Sequence, residues 1–433
     1  MLSSVGRRQM IDDDEAQGVM AVAMTVTEKI IARHAHRRSV APGELVLADV
    51  DLACADDVQF FLFRERLRLL GDRLADPDKV VLAADHYSPP SGASEAGIVS
   101  ALSEFGREHG IAILADGIKH PVFIEQRRAV PGQLLVASDS HTNTAGAVGT
   151  LAVSLGPTDI AAAGATGRTW LRVPASVRLD LAGPLRPGVL PMDVGLFLLG
   201  TYGRTWATYK AIEWSGTLMR SLDLSGRMTL CNLTTEFGAK NGIVPSDEQT
   251  RAYAEGLQGS TFDASDPDAG YLEEHHHDLT ELEPQVAVPP SPDNVSPVSQ
   301  LAGTPITQAY IGSCTHGTLQ DLRRAAGVLA NRKSHPTVSL LVTPASKQVY
   351  DQALDDGTLK TLVAAGATIC PPGCGSCPGM HQGTLAEGDV RISTQNRNFP
   401  GRSGHLNAQI YLASPETVAA SAVAGAIVSA RDL

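Results

Sequence analysis

Two short segments hold most of the chain's candidate chemistry: GSCTHG at 312–317 and PPGCGSCPGMH at 371–381. Cys374 and Cys377 stand two residues apart, close enough for both sulfurs to reach one metal centre, and Cys314 arrives from a separate stretch of chain. Gly373, Gly375 and Gly379 permit the tight turns of such a loop and let backbone amides approach sulfur. Iron-sulfur clusters take thiolate ligands, usually four of them. Three cysteines would leave one iron without a protein thiolate, open to water or substrate, much as catalytic zinc keeps an open position. Spacing alone leaves other centres open. His381 could join Cys314, Cys374 and Cys377 in a tetrahedral Cys₃His zinc site. Cys370 could serve as a fourth cluster ligand, and an isolated Cys-x-x-Cys serves redox chemistry equally well. Cys54 and Cys231 read as small packed thiols.

Four further clusters supply acids, bases and cations. AADHYSPP at 83–90 contains Asp85 and His86, and SDSHTNTAG at 138–146 contains Asp139, Ser140 and His141. A carboxylate beside an imidazole raises its proton affinity and orients it as an acid, although such a pair in isolation is as readily a structural hydrogen bond. CNLTTEFGA at 231–239 adds Asn232 and Glu236, which share one face if the segment is helical. STQNRNFPGRSG at 393–404 adds Asn396, Arg397 and Arg402; Arg forks match carboxylates bidentately, the alternative being ordinary surface ion pairs. These are the types that dehydration of a hydroxy acid requires: a Lewis acid or proton donor for the leaving oxygen, a base for the carbon proton, and cations for the carboxylates. Gly146 to Gly149 lacks the spacing of a phosphate loop.

The elements that must position these residues follow an α/β pattern. Short β-rich runs at 80–84, 134–137, 309–311, 338–342 and 410–412 alternate with helical periodicity, which predicts parallel sheets covered by helices. The polar clusters follow such runs, where an open α/β sheet binds its ligands, outside the carboxyl ends of its strands. Helical periodicity starts near Met24 and runs toward His36; residues 1–23 read as a disordered extension. The acidic, Pro-rich stretch 260–298, with His275, His276 and His277, reads as a connector whose histidines form a solvated polar face. A last helix is signalled by Ser414 as N-cap and Pro415 in its first turn, with a body to Ala430.

At 433 residues the chain exceeds one ordinary core, so two or three domains are expected. A net charge of -12 argues against a nucleic-acid surface and leaves any anionic substrate to local arginines. Six scattered cysteines make no disulfide framework and fit a reducing, cytoplasmic setting. The apolar stretch 417–430 is too short to cross a bilayer, and Asp12, Asp13, Asp14 and Glu15 interrupt any signal peptide.

From about Met24 to the C-terminus the chain resembles the aconitase family, in the branch of the 3-isopropylmalate dehydratase and homoaconitase large subunits. GSCTHG, PGCGSC and NRNFPGR carry the resemblance jointly, reinforced by SDSHT and the segment from Asn232 to Glu236, all in the family's order. The resemblance implies three α/β/α domains around a [4Fe-4S] cluster, with boundaries near 170 and 300: 24–170, 171–299 including the acidic connector, and 300–433. It implies that Cys314, Cys374 and Cys377 hold the cluster, leaving an iron that acts as Lewis acid. Asp85 with His86 would protonate the departing hydroxyl, Asp139 and His141 would line the water at the cluster, and Glu236 would assist its proton traffic. Ser140, Asn232, Arg397 and Arg402 would bind substrate, and Asn396 would support the cluster. Single-chain relatives carry a fourth, mobile domain whose Ser-Arg loop supplies the base; this sequence ends without it, so a small subunit is the expected partner, with no nucleic acid and no membrane. The implied substrate is a small hydroxy di- or tricarboxylate, first a 2- or 3-isopropylmalate of leucine biosynthesis, with homocitrate and dimethylmalate as alternatives. A non-catalytic iron-sulfur or zinc sensor is the reading from another class. His316 stands where the family usually has Asn, and Ser138 where it has Gly.

Overall fold

The computed structural model describes residues 22–433, so the expectation for 1–23 falls, except for Val22 and Ala23, outside the described residues. Those two precede the first described helix without regular structure. That helix, Val26–His34, is shorter than its periodicity suggested: Thr25 caps it in a reciprocal box with Glu28, and the chain leaves the helix at Ala35.

Among the described residues, three sheets have four or more strands. The first is parallel, in the order Ala112–Leu114, Val80–Ala83, Leu52–Asp56, Leu134–Ala137, Leu151–Ser154. Strands such as Val80–Ala83 and Leu134–Ala137 are buried at every position, which is why they read as unbroken apolar runs rather than alternating ones. The second sheet, also parallel, runs Asn241–Ile243, Ala211–Ser215, Ser176–Ala182, Glu273–Asp278. The third runs Val295–Pro297, Gln285–Ala287, Gln409–Leu412, Val390–Ser393, Gln308–Ile311, Ser339–Val342, Thr368–Ile369, and is parallel from Gln409–Leu412 onward, with the first two strands antiparallel. A small antiparallel ribbon pairs Leu45–Asp49 with Arg168–Arg172. The α/β architecture with parallel sheets agrees with the sequence pattern.

Two further details differ from the expectations. The stretch 260–298 is no bare connector: Glu273–Asp278 closes one edge of the second sheet, and Gln285–Ala287 with Val295–Pro297 joins the third. The polar strand is held by side-chain partners instead of a core. His277 meets the Tyr202 hydroxyl at 2.7 Å, and Glu273 accepts from Trp206 at 2.9 Å and Lys210 at 2.6 Å. The last helix begins as expected at Pro415 but ends at Ala424, because Gly425 takes a left-handed φ of 77° and its N–H closes on Ser421. Among the described residues no helix is long and apolar enough to cross a membrane.

Candidate active site

The polar clusters picked from sequence meet at the carboxyl ends of the first and third sheets, joined by the helix Leu224–Leu233 and the turn that follows it. A small cavity is lined by Cys314, Cys374 and Cys377 together with His86, Asp139, His141, Asn396 and Arg402. Backbone geometry sets the sulfurs. Gly312 ends the strand Gln308–Ile311, and Ser313 is forced to a left-handed φ of 75°, its hydroxyl accepting from the Thr315 N–H at 3.2 Å and donating to the Thr394 carbonyl at 3.3 Å. Gly375 and Gly379 have φ of 58° and 68°, and a Cβ on Gly379 would stand 2.8 Å from the Ser403 Cα, so the loop carrying Cys374 and Cys377 needs glycine there. The Cys374 N–H donates to the Asp85 carbonyl at 3.1 Å, tying the thiol loop to the first sheet.

The hydrogen bonds onto sulfur come from side chains rather than the backbone amides anticipated. Asn232 Nδ2 lies 3.2 Å and Asn396 Nδ2 3.3 Å from Cys314 Sγ, and Arg402 Nη2 lies 3.6 Å from Cys377 Sγ. All six cysteines are free. Burial pushes the Cys314 thiol up to about 12 and the Cys374 thiol well above its ordinary value. Two of the three sulfurs, those of Cys314 and Cys377, are approached by N–H donors, an arrangement that suits thiolates sharing a cationic centre. The residues therefore fit an iron-sulfur cluster. His381, the fourth ligand of the Cys₃His zinc alternative, is not part of the cavity lining, and its Nε2 sits 3.0 Å from the His86 carbonyl. Nor does Cys370 line this cavity; it borders a separate one with Lys347, Tyr350 and Pro371.

Around the sulfurs stands a buried ionic network. His86 Nδ1 lies 3.0 Å from Asp85 Oδ1 and 3.1 Å from Asp57 Oδ1, and its Nε2 lies 3.5 Å from Asp139 Oδ2. Burial opposes a charge on His86, but the Cys374 sulfur and the Asp85 carboxylate outweigh it and raise the imidazole well above its usual range. Asp139 accepts from the His141 N–H at 2.8 Å and faces His120 Nε2 at 3.2 Å. Burial would raise its carboxyl; the charges of Lys119 and His120 instead hold it well below the ordinary carboxylate range. Asp85, likewise buried, is lowered by Lys119 and His86.

A second arm runs from His141 to the arginines. His141 Nε2 is 3.0 Å from Glu236 Oε1, which also accepts from Arg397 Nε at 2.8 Å, and Arg397 Nη2 donates to Ser140 Oγ at 3.0 Å. Burial favours a neutral Glu236, but the bond to His141 and the charge of Arg397 lower its carboxyl. Arg397 is thus partly engaged by protein. Arg402 keeps a buried Nε with no partner while lining the cavity, leaving that N–H available to an anion. Asn232 and Glu236 do not share one α-helix: Asn232 sits in the last turn of Leu224–Leu233 and Glu236 in the 3-10 turn Thr234–Phe237 that follows directly.

Sequence reading passed over Lys119, His120, Asp56 and Asp57, all buried in this network. Their signal was the same as for the others, polar residues following a strand: Asp56 and Asp57 at the end of Leu52–Asp56, Lys119 and His120 after Ala112–Leu114. The two departures have structural partners. Ser138 Oγ donates to Asp56 Oδ2 at 3.0 Å, and the buried His316 ring bridges the Thr394 carbonyl at 3.3 Å and the Thr229 hydroxyl at 3.4 Å.

Fold and site define an α/β protein whose thiol-lined cavity is embedded in acid-base residues at sheet ends. The chain belongs to the aconitase family: the family model described as Aconitase family (aconitate hydratase) matches residues 28–425. It is 44% identical over 416 residues to "Probable methanogen homoaconitase large subunit" of Methanothermobacter thermautotrophicus, covering 94% of this chain and 97% of that one. It is 45% identical over 414 residues to "3-isopropylmalate dehydratase large subunit 1" of Methanopyrus kandleri, covering 94% of this chain and 99% of that one. Among solved structures, the holo-form of Thermococcus kodakaraensis aconitase X aligns with a TM-score of 0.47 at 14% identity, over 81% of this chain and 84% of that chain.

Proposed function

We propose that this chain is the large subunit of an aconitase-type hydro-lyase that moves water across a carbon-carbon double bond of a small hydroxy di- or tricarboxylate, 3-isopropylmalate of leucine biosynthesis first among them. One observation carries the reading: Cys314, Cys374 and Cys377 open on the same cavity as His86, Asp139, His141 and Arg402. The names of the relatives support the reaction and the pathway.

In this reading Cys314, Cys374 and Cys377 hold a [4Fe-4S] cluster, with Asn232 and Asn396 donating to the Cys314 sulfur. Bound there, the cluster supplies a Lewis acid for the substrate's hydroxyl and one carboxylate. His86, kept protonated by Asp85, gives its proton to the hydroxyl as the carbon-oxygen bond breaks. Asp139 and His141 orient the released water, and Glu236 passes protons between His141 and solvent while fixing Arg397. Arg402, with Ser140 and Arg397, binds the substrate carboxylates, the fork geometry fixing which carbon faces the base. The base that removes the carbon proton, so that its electron pair becomes the double bond, comes from the Ser-Arg loop of a small subunit carrying the swivel domain. The naming of the relatives as large subunits supports that partner. The same reading divides the chain into units 24–170, 171–299 and 300–433, with the strands from 285 to 297 as the part of the second unit that completes the third sheet.

Reconstitution with iron and sulfide under anaerobic conditions, followed by addition of candidate small subunits, tests the reading on 3-isopropylmalate, homocitrate and dimethylmalate. Turnover of 3-isopropylmalate only with a small subunit, and near-inactivity of this chain alone, is the expected result. The 44% identity to a homoaconitase-named relative favours homocitrate as the second substrate to try. A reconstituted chain that binds metal yet turns over none of these with any partner would make it a sensor instead.

A further inference from the structure

Behind the cavity wall lies a charge that the reading above does not use. The Lys119 side chain is fully buried, and its Nζ sits 3.2 Å from Asp56 Oδ2, 3.3 Å from Asp85 Oδ2 and 3.3 Å from Asp139 Oδ2. These carboxylates come from three segments: the end of Leu52–Asp56, the loop after Val80–Ala83 and the loop after Leu134–Ala137. The Lys119 N–H also donates to Asp85 Oδ2 at 2.9 Å, so main chain and side chain grip the same carboxylate. Its neighbours Ile118 and His120 line the cavity, whereas Lys119 does not.

Each carboxylate faces two ways. Asp85 meets Lys119 with one side and His86 Nδ1 with the other, at 3.0 Å. Asp139 meets Lys119 through Oδ2, the same oxygen that faces His86 Nε2 at 3.5 Å, and holds His120 Nε2 at 3.2 Å through Oδ1. Asp56 touches no cavity histidine; it is fixed by Lys119 and by the Ser138 hydroxyl at 3.0 Å. Three buried like charges within reach of one another would move apart or take up a proton unless a cation stood between them.

We propose that Lys119 is the positioning residue of the acid-base apparatus: its ammonium draws Asp85 and Asp139 to one point behind the cavity, so that the two imidazoles they hold, His86 and His120, face the substrate at a fixed separation and angle. Asp56, seated by Ser138, is the anchor that keeps the ammonium in place. The inference rests on the hydro-lyase reading for its consequence in turnover, but not for its consequence in structure. Lys119 acts through other residues and touches no substrate.

Lys119→Met leaves three carboxylates around an apolar side chain, which threatens folding. The double variant Lys119→Met/Asp56→Asn therefore carries the test, because it removes one carboxylate along with the ammonium. Reconstituted with its small subunit, the double variant is expected to match the parent in melting temperature and iron content, while kcat falls about 100-fold, the lower end of what acid-base groups contribute. KM is expected to stay within about threefold, because the carboxylate-binding arginines are untouched. Crystal structures of the metal-free parent and double variant give a readout independent of activity: Asp85 and Asp139 separate, and His86 loses one of its two carboxylate contacts. Recovery of kcat together with stability, or superposable Asp85, Asp139 and His86 side chains in the two structures, would reduce Lys119 to a charge balancer and overturn the proposal. A parent without turnover on any hydroxy acid would sink the hydro-lyase reading alone, since the crystallographic comparison would still decide the role of Lys119.

Discussion

Replacing Arg402 by Lys separates geometry from charge at the substrate end of the cavity. The Arg402 side chain is half-buried, with Nη2 3.6 Å from Cys377 Sγ and a buried Nε that has no partner among the described residues. A substrate carboxylate can take the Nε–H and a parallel N–H as a fork, two charge-assisted bonds worth about 1.5 kcal/mol each at the low end. Lysine keeps the positive charge but offers a point donor on a flexible stem, so it recovers about one of the two bonds and cannot hold the carboxylate plane. The loss is then about 1.5 to 3 kcal/mol, or about 10- to 150-fold in kcat/KM at 1.36 kcal/mol per decade. Because the positive charge beside Cys377 survives, cluster content and the visible absorption of the reconstituted chain should match the parent. Arg402→Met provides the contrast, losing activity further and also shedding iron faster, since the Cys377 sulfur loses its donor. Steady-state kinetics on 3-isopropylmalate with saturating small subunit, alongside iron and sulfide analysis of the same samples, measures both quantities. A kcat/KM within threefold of the parent for Arg402→Lys would refute the fork, and loss of the cluster in that variant would show that Arg402 serves the metal centre instead of the substrate.

The other expectations are more direct. Cys314→Ser, Cys374→Ser and Cys377→Ser should each prevent a stable cluster by iron analysis and electron paramagnetic resonance, while Cys370→Ser, whose sulfur borders a different cavity, should retain a full complement of iron. Glu236→Gln replaces the carboxylate shared by His141 and Arg397; with charged hydrogen bonds contributing about 1.5 to 3 kcal/mol, kcat/KM should fall about 100-fold while the melting temperature changes little. Asp193, fully buried under the N–H groups of Leu190 and Gln285, has its carboxyl pushed by burial to about 7. A raised carboxyl means that its contribution is present in full below the unfolded value near 3.8 and is lost as pH climbs through the folded value, a change on the order of 4 kcal/mol. Melting temperature should therefore decline from pH 4 toward pH 8, and Asp193→Asn should flatten that slope; an unchanged slope in the variant would place the effect elsewhere.

How far the site was legible in the sequence depended on strand length. Asp85, His86, Asp139 and His141 follow four-residue runs buried at every position, Val80–Ala83 and Leu134–Ala137, which stand out as apolar blocks. Lys119 and His120 follow Ala112–Leu114, three residues with only Leu114 fully buried, too short to announce a strand. Without that strand the polar residues after it looked like any loop. The second difficulty was a polar strand. Glu273–Asp278 alternates only between half-buried and exposed positions, and its order comes from Tyr202, Trp206 and Lys210, residues some 70 positions earlier whose approach no local pattern announces. Where a helix stopped was legible only in hindsight at Gly425, because the residues on both sides of it are small and apolar and continue the helical composition.

The candidate site draws its residues from segments far apart in the chain, so something must fix their mutual register, and the amide of Asn232 does so with every bond it can make. Its Nδ2 donates to Thr144 Oγ1 at 2.8 Å, in the turn after the strand Leu134–Ala137, and to Cys314 Sγ at 3.2 Å, after the strand Gln308–Ile311. Its Oδ1 accepts from Thr315 Oγ1 at 2.9 Å and from Asn396 Nδ2 at 3.3 Å. A primary amide has two donors and two acceptor lone pairs, and all four are spent here in a place with no access to water. Sliding any of these segments by about an ångström would strand at least one buried polar atom, at a cost of about 1 to 3 kcal/mol, which is steep enough to select one arrangement. The sulfur that the amide touches is the one arriving from a different strand end than the other two. Asn232 therefore sets where Cys314 meets Cys374 and Cys377, and through Thr144 it ties that meeting point to the segment bearing Asp139 and His141.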